Sequence, residues 1–165
     1  MVRLVQPDLW RVVVIRKGRN EDIPKIFDVG ARLREQYYKE NVPMHKPTAF
    51  RILDQFIRSP EKLLLVADHG GPFTGFVMAS VEPFWEVNPK TGRRYVTDWA
   101  FYSERFGDGR KMLKIVVEWA WSLPRVIEVK MGTQIPQSDA VMDRLFGDAG
   151  FERVGRMYRF EKGDE

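Results

Sequence analysis

The chain has 165 residues, 27 Lys and Arg against 23 Asp and Glu, and no cysteine. This length suits a single domain over residues 1–165 with a real core, and the missing cysteine excludes disulfides, thiolate catalysis and cysteine-based zinc sites. No apolar run approaches the roughly 20 residues of a membrane helix, and residues 1–22 lack the charged start, apolar block and cleavage site of a secretory signal, so a cytoplasmic protein without a membrane partner is expected.

Residues 11–16, RVVVIR, read as a β-branched strand. Asn20 can cap a helix that carries Glu21 and Asp22 in its first turn, tolerates Pro24 there, keeps a helical period through Ile23, Ile26, Phe27 and Gly30, and runs to about Tyr38. After the turn-rich NVPMHKPT, Thr48 is a candidate cap for a second helix with Ala49, Leu53, Phe56 and Ile57 on its apolar face. KLLLVA (62–67) is a buried strand, DHGGP a hairpin turn, and FTGFVMASVEPFW its partner strand. NPKTGRR turns the chain into the aromatic-rich strand 95–102, YVTDWAFY.

Met112, Ile115, Val116, Trp119, Ala120 and Leu123 then fall on one face of a long third helix, which Pro124 stops; Leu113 and Val117 widen that face. Trp121 points elsewhere and suits a neighbour or dimer contact. VIEVKM (126–131) is a strand, Ser138 caps a further helix closed near Gly147 or Gly150, and residues 151–160 read as a final strand. The order βααβββαβαβ defines an α/β chain with an antiparallel first half and a βαβ unit later.

Gly107 and Gly109, in SERFGDGRK, stand directly before the apolar period of the third helix. Two readings fit: a sharp strand-to-helix turn, or a backbone that must approach a phosphate at a helix N-terminus, where unpaired N–H groups and the helix dipole favour an anion. Arg93, Arg94, Arg110 and Lys111 are basic residues able to touch phosphate or simply to face solvent.

The element order, together with ERFGDGRKMLKIVVEWA and DRLFGDAGFERVG, resembles the GNAT superfamily of acyl-CoA-dependent N-acetyltransferases over nearly the whole chain. The resemblance implies a mixed, mostly antiparallel twisted sheet with flanking helices, acetyl-CoA as co-substrate, no metal, and an amine-bearing small molecule or protein as acceptor. It assigns the pyrophosphate to Arg105, Phe106, Gly107, Asp108, Gly109, Arg110 and Lys111. The acyl carbonyl goes to a backbone N–H among Trp99, Ala100 and Phe101, on a strand that parts from the next one. It also leaves a homodimer open.

Three positions depart from the family pattern: Glu104 replaces a donor side chain, Phe146 falls where a tyrosine general acid is frequent, and Asp139 stands for an asparagine. Candidate bases are Asp98, whose carboxyl burial would raise toward a useful range, and Glu82 at the end of the preceding strand, with water as the alternative. Tyr102 and Tyr158 are candidate replacements for the missing acid. Trp85 and Phe84 suit the acceptor side, as does His45; His69 reads as a hairpin residue, and the two histidines lack metal-ligand spacing. Two other functions compete: a catalytically weak fold that holds CoA or a partner, and a basic nucleic-acid-binding domain, against which the missing recognition motifs weigh.

Overall fold

The computed structural model describes residues 14–37, 43–84, 89–132 and 138–155. Its elements are β1 (Val14–Lys17), α1 (Ile23–Tyr37), α2 (Lys46–Arg58), β2 (Lys62–Asp68), β3 (Gly75–Pro83), β4 (Arg94–Ser103), α3 (Phe106–Ser122), β5 (Val126–Lys130) and α4 (Asp139–Asp148). The strands form one sheet in the order β1-β2-β3-β4-β5, antiparallel except for the last pair. β4 and β5 run parallel because α3 carries the chain back across the sheet between them, as a βαβ crossover requires.

Strand alternation divides the core in two. Leu63, Leu65, Ala67, Val77, Ala79, Val96 and Phe101 face α3 and α4, packing on Met112, Leu113, Val116, Ala120 and Leu145. Leu64, Val66, Phe76 and Met78 face α1 and α2, packing on Ile23, Ile26, Val29, Leu53 and Phe56. Residues 63–67, LLLVA, are apolar without interruption because β2 has helices over both faces. The face expected for α3 is the buried one, and Trp121 is 56% exposed.

Helix starts differ from expectation. Asn20 lies inside a short 3-10 turn, Asn20–Asp22, because Asp22 reaches back to accept from the Arg19 N–H at 2.8 Å. α2 begins two residues before Thr48, with His45 at its cap and Pro47 in its first turn, where a missing N–H costs nothing. His45 Nδ1 instead pairs with the Thr48 hydroxyl at 2.8 Å. Ser138 does cap α4, accepting from the Val141 N–H, and Gly150 ends it with φ of 90°. Residues 151–155 are not a strand; the rest of that expected strand, with Tyr158, and residues 11–13, Tyr38 and Trp85 lie outside the described residues.

A partly buried ion triad, with Asp22 as its buried member, ties the first strand down. Arg16 donates to Asp22 at 2.6 and 2.9 Å and to Asp68 at 2.8 and 3.1 Å. The Arg16 hydrogen bonds hold the Asp22 carboxyl below its usual range, while the Gly70 N–H is the main influence lowering Asp68.

Candidate active site

The central feature is a break in the pairing of β4. On its β3 side, Met78 pairs with Ala100 and Ala79 with Asp98, so Trp99 is an extra residue without a partner. A β-bulge of this kind bends a strand and increases its twist. On the other side, β5 pairs with β4 only from Arg94 to Thr97. Among the described residues, the second half of β4, residues 98–103, therefore has no strand on that flank. The expected parting of the two strands falls at the bulge.

Asp98 stands at the fork. Its carboxylate accepts from the Gly132 N–H at 3.1 Å, just past the end of β5. Burial pushes the Asp98 carboxyl up to about 6, opposed by that N–H. Neither Arg93 nor Arg94 is its partner: Arg94 bonds Glu61 and, at 2.7 Å, the Pro124 carbonyl. Arg94 thus closes a turn and has no free face for phosphate.

The other expected catalytic residues lie elsewhere. Glu82 is on the α1/α2 face, opposite Asp98, and accepts from Ser80 Oγ at 2.8 Å; the Trp99 indole N–H donates to the same Ser80 oxygen at 2.8 Å. Trp99 leans edge-on to Phe56 at 5.4 Å between ring centres, yet is 53% exposed. Its side chain lies on the α1/α2 face, and only its backbone lies at the fork. Tyr102 also faces α1 and α2, where its hydroxyl donates to Glu104 at 2.7 Å. Burial, then the Glu104 carboxylate, raise the Tyr102 phenol to about 12. A proton held that way is poorly placed to serve as the acid. Phe101 lies on the opposite face, its ring 5.8 Å from that of Phe146, which also meets Phe151 at 5.5 Å.

The two glycines separate in role. Neither has positive φ, so neither serves a left-handed turn. Both lie in the first turn of α3, whose cap is Arg105. The Asp108 and Gly109 N–H groups bond the Arg105 carbonyl at 3.1 and 3.0 Å. Those of Phe106 and Gly107 have no acceptor among the described residues, and the helix dipole at this end favours negative charge. A Cβ on Gly107 would meet nothing within 4 Å. A Cβ on Gly109 would lie 3.2 Å from Ser103 Cβ and 3.4 Å from Leu145 Cδ1, so Gly109 lets α3 approach β4 and α4.

Asp108 is also reassigned. It is 4% exposed, and its Oδ2 accepts from Thr74 Oγ1 at 3.0 Å and pairs with His69 Nε2 at 2.7 Å. This carboxylate anchors the β2–β3 hairpin to α3. Arg105, Arg110 and Lys111 are exposed around the helix mouth. Glu104 turns away from it toward Tyr102 and Arg32, the latter at 3.8 Å. The departure at Glu104 therefore places no carboxylate against the free N–H groups.

Sequence reasoning missed the His69–Asp108–Thr74 cluster, because residues 34 to 39 positions apart meet only in the folded hairpin. Among the described residues no group of three or more His, Asp or Glu could hold a metal ion, and no helix is long and apolar enough to cross a membrane.

A five-stranded sheet that forks at a bulge in front of a helix N-terminus, with two helices on each face, is the fold of the GNAT superfamily of acetyltransferases. The chain superposes on AAC(6')-Iy in complex with the bisubstrate analog CoA-S-monomethyl-acetylneamine, with a TM-score of 0.65 and 15% identity over 92% of this chain and 98% of that one. It superposes on a predicted acetyltransferase with acetyl-CoA from Clostridium acetobutylicum with a TM-score of 0.67 and 13% identity, covering 91% and 96% of the two chains. A third likeness is to an acetyltransferase, assigned as putative, from Agrobacterium tumefaciens, at a TM-score of 0.64 and 14% identity over 90% and 99%. No family model and no curated protein matches the sequence.

Proposed function

We propose that the protein transfers an acetyl group from acetyl-CoA to a primary amine. The observation that carries this reading is the alignment of two features: β4 parts from β5 at Asp98 and Trp99, and the free N–H groups of Phe106 and Gly107 open at the end of the same strand. The pyrophosphate suits those donors with Arg105, Arg110 and Lys111 around them, and the pantetheine arm suits the gap beside residues 98–103.

In the transfer, the amine nitrogen attacks the thioester carbon, the C–S bond breaks, and the amine's extra proton must leave. A backbone N–H of the bulged segment, Trp99 to Phe101, stabilises the oxyanion. Asp98 is the favoured base: it is buried at the fork, and a carboxyl titrating near 6 is ionised at neutral pH yet basic enough to take a proton. Glu82 is disfavoured because it is engaged by Ser80 on the other face. The thiolate takes its proton from solvent or from a group outside the described residues.

The test is calorimetric titration with acetyl-CoA, followed by thiol-release assays over a panel of amines. Absence of binding at millimolar acetyl-CoA defeats the proposal. A second reading, a CoA-holding protein with little turnover, is favoured by Phe146, whose ring lies in an aromatic cluster and carries no acidic proton. Tight binding without thiol release across the panel selects it.

A further inference from the structure

The proposed transfer makes no use of His69, although this ring is held on both sides. Asp108 is buried, and as a carboxylate it can only accept; His69 Nε2, 2.7 Å from its Oδ2, must therefore carry the proton. In the neutral ring Nδ1 is then a bare lone pair. Facing it, at 3.4 Å, is Nη1 of Arg105, a group that can only donate. The donors and acceptors match in one state of the ring and not in the other. A second proton, on Nδ1, would put N–H against N–H and one positive charge against another.

Resting on the acetyl-CoA reading above, we infer that His69 is a positioning residue, whose neutral imidazole steers the Arg105 guanidinium to the mouth of α3 and whose protonation releases it. Three segments converge to build the device: the hairpin turn supplies His69 and Thr74, the helix cap supplies Arg105, and the first turn of α3 supplies Asp108. The charged groups against the ring act in opposite senses. Asp108 sets a carboxylate against Nε2 and Arg105 a guanidinium against Nδ1, while the neighbouring Asp68 is engaged by Arg16 and the Gly70 N–H. Acidification thus loosens one arginine at the pyrophosphate site without disturbing the backbone donors of Phe106 and Gly107.

The probe is dephospho-coenzyme A, because it lacks the phosphate monoester whose second ionisation, near pH 6, would obscure the result. Its affinity is measured by calorimetry at pH 8 and pH 5.5 for the intact protein, His69→Gln and Arg105→Ala, with melting temperatures recorded alongside. The intact protein should lose about tenfold in affinity on acidification, which corresponds to 1.4 kcal/mol. Both variants should bind about as weakly at pH 8 as the intact protein does at pH 5.5, and should lose little more at the lower pH. Adding His69→Gln to Arg105→Ala should cost no further affinity. Equal losses on acidification in the intact protein and in Arg105→Ala overturn the inference, and this comparison does not require His69→Gln to fold. If the intact protein binds no ligand at pH 8, the acetyl-CoA reading itself fails and the inference falls with it.

Discussion

Replacing each of the two glycines by valine separates binding from folding. At Gly107 the space around a new Cβ is open, and Cβ atoms on a helix tilt toward its N-terminus, so the side chain enters the region in front of the free N–H groups. Valine is a somewhat better helix former than glycine, so stability should hold or rise by a few tenths of a kcal/mol. Losing one charge-assisted hydrogen bond there, about 1.5–3 kcal/mol, should weaken acetyl-CoA binding by roughly ten- to a hundredfold or more. At Gly109 the Cβ alone is already tight against Ser103 and Leu145, and the two γ-carbons of valine have no room. Overpacking of this kind costs about 1–3 kcal/mol, and at about 2–4 °C per kcal/mol the melting temperature should fall by roughly 2–12 °C. Scanning calorimetry and acetyl-CoA titration on both variants provide the assay. A Gly107→Val protein that melts early but binds normally, or a Gly109→Val protein that melts normally but cannot bind, refutes the assignment of the two roles.

Asp98→Asn should abolish turnover that depends on a base while leaving acetyl-CoA affinity intact; in the unsubstituted protein, activity should fall about tenfold per pH unit below 6. The same substitution should stabilise the fold. A carboxyl near 6 in the folded state and near 3.8 in the unfolded one binds protons more tightly when folded, so stability is lost as pH rises from about 4 to 6, by at most about 3 kcal/mol. The gain from Asp98→Asn should therefore appear in thermal melts at pH 7 and vanish at pH 4. Glu104→Gln should change acetyl-CoA affinity less than threefold, a difference of about 0.6 kcal/mol, because that carboxylate faces Tyr102 and Arg32; a large tightening would show it facing phosphate. Arg16→Met should cost about 3–5 kcal/mol in a denaturant melt by leaving Asp22 buried and unpaired, and unchanged stability would discount the triad.

Much of the fold was legible because it rests on periodicity. α3 announced itself through an apolar face from Met112 to Leu123, about three turns long, β2 through an unbroken apolar run, and the parallel β4–β5 pair through the helix between them. Cap chemistry was less reliable: Ser138 acts as expected, but Asn20 and Thr48 lost their positions to Asp22 and Pro47, which organise those turns from inside. The candidate site was legible only in part. SERFGDGRK located the helix mouth, yet nothing local distinguishes Gly107 from Gly109. Their difference is made by Ser103 on β4, 3.2 Å from a Cβ on Gly109, and by Leu145, 36 positions further along the sequence from Gly109. Nor does any glycine or proline mark the bulge at Trp99, since the extra residue is defined only against the register of β3.

The half-paired strand has a consequence for solvent exchange. Past Thr97, the peptide groups of β4 that point away from β3 meet no strand among the described residues. Their hydrogens should exchange with deuterated water at rates set by local access, while neighbouring amides bonded to β3 exchange only when the sheet opens. Residues 98–103 should therefore show an alternating pattern of fast and slow amides in the free protein. A pantetheine chain lying along the strand would cover the fast ones, so bound acetyl-CoA should slow them selectively. On the proposed reading, the ligand would stand in for the neighbour that this stretch of sheet lacks among the described residues.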